Sequence, residues 1–156
     1  MITSCFFTGH RIFLVSDKLT KRLTTALKDL IETGVKDFYA GGALGFDMLC
    51  EKTVLCLKEK YPHIRLHLVL PCPPEEQFAR WKQEQKTEYC KIYDLADSIE
   101  LTSSIYFDGC MKKRNTRLTE LGDICVCYWD GGCHSGTYQT INIALRKGIE
   151  VINLYK

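Results

Sequence analysis

No stretch of about 18 consecutive apolar residues occurs in the 156-residue chain, which excludes a bilayer-spanning helix. Charge of one sign is scarce as well. Lys and Arg number 21 against 19 Asp and Glu, and the surplus of +2 is too small to require a nucleic-acid partner. The first residues, Met1 to Phe7, have no basic segment and run directly into Gly9-His10-Arg11. No secretory signal is therefore expected, and the chain reads as cytoplasmic. No Cys-x-x-Cys pair exists among the nine cysteines, whose odd number and scatter do not suit a disulfide framework. Tetrahedral metal-ligand spacing is missing, so no metal is expected. The thiols read as reduced, small core hydrophobes. Linkers, repeats and low-complexity segments are lacking too, which points to one domain over 1–156.

What is present is an alternation of strand and helix. Short apolar runs at Ile2 to Phe7, Asp37 to Ala40, Ile64 to Leu70, Ser98 to Thr102, Asp123 to Trp129 and Glu150 to Tyr155 predict six strands. Between them lie amphipathic stretches. Leu19, Leu23, Leu27 and Ile31 form one helical stripe, with Ser16 or Asp17 as cap and Gly34 behind it. A long helical segment is predicted from Phe78 through Trp81, Tyr89 and Ile92 to Ala96, and a basic helix from Cys110 to Leu121. Strands apolar on both faces, separated by such helices, predict a doubly wound α/β domain. Its mostly parallel sheet of about six strands would carry helices on both faces. Ligands of such sheets bind at the carboxyl ends of the strands.

Three loops fall at that edge. Gly41-Gly42-Ala43-Leu44-Gly45-Phe46-Asp47 allows close backbone approach before a helix start, although it matches neither Gly-x-Gly-x-x-Gly nor a Walker loop. Asp130 to Thr137 ends in Ser135-Gly136-Thr137, two hydroxyls and a glycine at another helix start. Thr8-Gly9-His10-Arg11 offers a guanidinium for bidentate phosphate contact and an imidazole for proton transfer. Each loop could equally be a turn with a helix cap; together they point to a small phosphate-bearing ligand. In the run Lys112-Lys113-Arg114-Asn115, Asn115 is expected to turn inward. Gly42→Val is expected to weaken ligand binding more than folding.

These stretches, with Tyr61-Pro62, Trp81, Tyr89, Ala96-Asp97 and Tyr106 to Asn115, resemble the YpsA-like branch of the SLOG superfamily. That Rossmann-like group contains DprA and the LOG phosphoribohydrolases. The resemblance implies a Rossmann-like fold that binds a nucleotide or nucleotide-derived ligand. Its binding residues would be Thr8, Gly9, Arg11, Gly41, Gly42, Ala43, Gly45, Asp47, Arg114, Asn115, Ser135, Gly136 and Thr137. LOG enzymes carry Pro-Gly-Gly-x-Gly-Thr-x-x-Glu, and alignment on Gly136-Thr137 puts Thr140 at the glutamate. A threonine cannot serve as the carboxylate acid or base near neutral pH. The expectation is therefore binding or sensing without catalysis and without a required cofactor. A small domain of this kind with exposed aromatics is also expected to form a homo-oligomer, a dimer. Thr140→Glu would be the variant that restores the missing carboxylate. The alternatives are a hydrolase using Asp47, Asp130 or His10, and DprA-like single-stranded DNA binding. The latter would draw on Lys112, Lys113, Arg114 and Arg117 for charge and on Tyr106 or Phe107 for stacking.

Overall fold

The computed structural model describes residues 1–11 and 15–155. Six strands, β1 (Ser4–Gly9), β2 (Asp37–Ala40), β3 (Arg65–Leu70), β4 (Ser98–Leu101), β5 (Ile124–Tyr128) and β6 (Glu150–Asn153), form one sheet. Every neighbouring pair is parallel and the spatial order is β4-β3-β2-β1-β5-β6. The chain builds outward from β1 to β4, then returns past β1 to lay down β5 and β6. Strand order thus reverses between β1 and β5, and that point positions the site.

Side-chain parity along the strands sorts the core into two layers. Cys5, Phe7, Ile124 and Val126 join the cluster under α1 (Asp17–Glu32), α2 (Phe46–Lys58) and α4 (Gln83–Leu95). Their sequence neighbours Phe6, Cys125 and Cys127 point the other way. They pack on Leu118 of α5 (Cys110–Leu121) and on Ile141 and Ala144 of α6 (Gly136–Arg146). Ser16 resolves the first capping choice: its Oγ accepts the Leu19 amide at 3.1 Å.

The structure departs from the sequence expectation at element ends. β1 starts at Ser4, leaving Ile2 exposed, and β6 stops at Asn153 rather than Tyr155. Instead of one long helix beginning near Phe78, a short α3 (Pro74–Gln77) and a 3-10 turn (Phe78–Arg80) precede an extended Trp81. The break allows Phe78 and Trp81 to turn back onto Tyr89, with ring centroids 4.8 and 5.6 Å away. That aromatic contact outweighs continuation of the helical ladder. The edge strands β4 and β6 are also more exposed than the both-faces-apolar pattern implied. No helix among the described residues is long and apolar enough to cross a membrane.

Candidate ligand-binding site

The carboxyl end of β1 opens onto a cavity of about 330 Å³. β1 and the loop after it contribute Phe7, Thr8, Gly9, His10 and Arg11. The β2–α2 connection supplies Ala43 and Asp47, and the start of α6 supplies Ser135, Gly136 and Thr137. Met111, Arg114, Asn115 and Leu118 complete the wall from α5; their spacing of three and four puts them on one helix face. Ten of the thirteen expected binding residues therefore meet in one place. Gly41, Gly42 and Gly45 do not line it.

The three absent glycines serve contacts within the protein. Gly45 has φ +81°, and a Cβ there would collide with the backbone of Arg11. The backbone at His10 and Arg11 thus lies directly against the start of α2, and the Phe46 amide donates to the His10 carbonyl at 3.1 Å. Gly42 has φ +70°, and its missing side chain would strike Leu70 and Tyr89, on the side of the core. Gly41 lies against Arg114, whose Nη1 donates to the Gly41 carbonyl. Gly42→Val is accordingly a folding lesion first, which corrects the expectation from sequence.

The α5 wall carries a buried cation. Arg114 is more buried than Asn115, so both members of that pair turn inward. Its Nε donates to Asn115 Oδ1 at 2.8 Å, which leaves the guanidinium tying α5 to the β2–α2 loop. Burial lowers the Arg114 pKa from its ordinary value, against the attraction of Asp47. Asp47, also buried, does not cap its own helix. Its Oδ2 accepts the Ala43 amide at 3.3 Å, and desolvation raises its pKa against the pull of Arg114. One turn on, Glu51 is fully buried and its Oε2 accepts the Gly42 amide at 3.2 Å. Burial drives its pKa well above the ordinary carboxylate value, and the nearby Asp47 charge adds to this. Around Gly42, Glu51 Oε1, Tyr89 OH and Gln77 Oε1 are buried without a hydrogen-bond partner among the described residues. Sequence reasoning missed Glu51; its i+4 relation to Asp47 was the available signal. Met111 was missed as well, and its sulfur lies 3.7 Å from Arg11 Nη2.

The start of α6 is the anion-favouring part of the cavity. Ser135 Oγ accepts the Tyr138 amide at 3.0 Å, and the Gln139 amide reaches the Ser135 carbonyl at 3.2 Å. The remaining first-turn amides, Gly136 and Thr137, have no acceptor within the helix. They carry the positive end of its dipole. A Cβ on Gly136 would meet nothing closer than Asn115 Nδ2 at 3.6 Å, so that glycine keeps the wall open without being sterically required. Thr140, one turn further, is fully buried outside the lining, and its Oγ1 donates to the Gly136 carbonyl at 2.9 Å.

At the rim, His10 and Asp130 approach each other. His10 Nε2 lies 3.2 Å from Asp130 Oδ1 and 3.0 Å from the Asp130 amide. Asp130 Oδ1 also accepts the Gly132 amide, the main reason its pKa falls below the ordinary value. Trp129 Nε1 donates to the Gly132 carbonyl at 2.9 Å and braces the loop. Asp130 itself stands outside the lining, exposed. Among the described residues no group of three His, Cys, Asp or Glu could hold a metal ion.

A parallel sheet of this order with its cavity at the strand reversal defines a Rossmann-like α/β protein. The model of the YspA SLOG family matches residues 11–147, and the chain belongs to that family. It is 30% identical over 140 residues to the uncharacterized SPbeta prophage-derived protein YoqJ of Bacillus subtilis, covering 81% of this chain and 80% of that one. It is 28% identical over 138 residues to a UPF0398 protein of Halalkalibacterium halodurans, covering 83% and 72%. Among solved structures, DNA processing protein A from Helicobacter pylori superposes with a TM-score of 0.67 at 16% identity. That superposition covers 97% of this chain and 64% of the other, whose structure was described for a single-stranded DNA binding mode. At that identity the likeness is one of fold.

Proposed function

We propose that the cavity at the strand reversal binds a nucleotide or nucleotide-derived ligand by its phosphate and does not turn it over. The observation that carries this reading is the pairing of the α6 start with Arg11. Gly136, Thr137 and Arg11 line one 330 Å³ space. Amides at a helix start beside an exposed guanidinium suit a phosphate. The single-stranded DNA bound by the Helicobacter pylori protein is itself a chain of nucleotides, which supports the ligand class.

The reading as a binder rests on Thr140. The position aligned with the LOG glutamate holds a hydroxyl, and that hydroxyl is committed to the Gly136 carbonyl. Restoring a carboxylate there would bury it in the protein rather than present it to the cavity. One observation favours a second reading: the His10–Asp130 approach could hold a proton-transferring imidazole at the rim.

Incubation with nucleoside mono- and diphosphates separates the two. The binder reading predicts calorimetric binding, no release of base or phosphate, and an affinity about tenfold weaker in Arg11→Ala. Turnover by the unmodified protein, abolished by Asp130→Asn or Asp47→Asn, would contradict it.

A further inference from the structure

A second cavity of about 400 Å³ abuts the first. Arg11 and Met111 line both, so their contact at 3.7 Å forms a shared wall rather than the end of the site. The walls of the second cavity differ in chemistry from those of the first. Trp81 and Tyr106 contribute rings, Arg80 a second guanidinium, and Glu76 and Gln77 come from α3. Neither the α6 start nor Gly41, Gly42 or Gly45 lines it.

The Trp81 ring is held by its neighbours, and the backbone that carries Tyr106 is held by a hydrogen bond. Trp81 is braced by Phe78 at 4.7 Å and by Tyr89 at 5.6 Å between ring centroids. The Tyr106 amide donates to Glu76 Oε1 at 3.1 Å, which pins the β4–α5 loop to α3 while Tyr106 remains 57% exposed. Gln77 Nε2 donates to the Gly42 carbonyl at 3.2 Å and fixes α3 to the loop behind the first cavity. An exposed aromatic ring on a pinned loop, across a guanidinium from an anion-favouring helix start, suits a planar base joined to phosphate.

We infer that the second cavity is the base subsite of the same site. A nucleoside diphosphate would bridge the two, its phosphates between the α6 start and Arg11 and its base against Tyr106 and Trp81. This rests on the reading of the first cavity as a phosphate site. A mononucleotide is favoured over a nucleic-acid strand because the whole chain carries a net charge of only +2, whereas strand binding calls for a basic track.

The test is calorimetry with ADP, GDP, CDP, UDP, inorganic pyrophosphate and a short oligothymidylate. At least one nucleoside diphosphate is expected to bind more tightly than pyrophosphate. Tyr106→Ala should weaken that nucleotide about tenfold and leave pyrophosphate unchanged, while Tyr106→Phe, which keeps the ring, should restore nucleotide affinity. Pyrophosphate binding with no nucleoside diphosphate binding more tightly would overturn the base subsite and leave the phosphate reading standing. Equal losses for nucleotide and pyrophosphate in Tyr106→Ala, or no loss for either, would also overturn it. Binding of none of the probes would overturn both readings. Oligothymidylate binding tighter than every nucleoside diphosphate and sensitive to Tyr106 would assign the surface to a nucleic-acid strand instead.

Discussion

Gly42 and Glu51 are where single residues decide between packing and binding. Gly42 adopts a left-handed φ with Leu70 and Tyr89 behind it, so a valine there is strained and overpacked together. Gly42→Val should lower unfolding free energy by about 2–4 kcal/mol, read as a shift of the urea midpoint. An unchanged midpoint would mean that the loop is not packed as described. Glu51 makes a prediction of opposite character. Its folded pKa is raised by burial, so the folded state holds a proton that the unfolded chain releases near the ordinary carboxylate value. The associated stability is complete below that unfolded value and is lost as pH rises through the folded one. Glu51→Gln cannot ionise and still offers an acceptor to the Gly42 amide. The melting temperature of Glu51→Gln relative to the parent protein should therefore rise as pH increases above the ordinary carboxylate value and level off once pH passes the raised folded one. A constant difference across that range would show that Glu51 is not held neutral.

α6 and α5 build the site through their own periodicity, and each reports on a different part of it. Ser135 caps α6, and Ser135→Ala should cost about 1 kcal/mol of stability in a urea titration. Thr140 lies one turn in and is fully buried. Thr140→Glu would place a carboxylate where only a hydroxyl is satisfied. It should cost about 3 kcal/mol or more and yield no base release from AMP. Detectable hydrolysis by a folded Thr140→Glu protein would contradict this placement. These helices also mark how far sequence alone reaches. The 3.6-residue stripe and the serine caps were legible because they are local. The inward turn of Arg114 was not, because a basic run on a helix reads as solvated until the Gly41 carbonyl on a distant loop is known to receive it. The same limit explains Gly41, Gly42 and Gly45. Glycines in a loop announce close approach, but not whether the approaching group is a phosphate, an arginine or the core. The break before α4 escaped for a related reason, since Phe78 and Trp81 have helical spacing to Tyr89 yet reach it by folding back.

For the whole molecule, two layers around a parallel sheet place thiols and site in predictable relation to solvent. Cys5, Cys50, Cys72, Cys110, Cys125 and Cys127 are buried, whereas Cys56, Cys90 and Cys133 are exposed, and none is paired. An aromatic disulfide reagent should label those three in the native protein and all nine after denaturation. Protection of any of the three, or fewer than nine on unfolding, would contradict this arrangement. The central claim concerns the cavity at the reversal of strand order between β1 and β5, and Gly136 tests it most directly. Space is available beside Gly136, and an acidic residue in the first turn favours the helix itself, so Gly136→Asp should fold as well as the parent. Its carboxylate would nevertheless stand where an incoming phosphate must lie. Titrating ADP, GDP, CDP and UDP into both proteins by calorimetry should show binding to the parent, a loss of more than about tenfold in Gly136→Asp, and matching melting temperatures. Equal affinity in both proteins, or no nucleotide binding by either, would contradict the account.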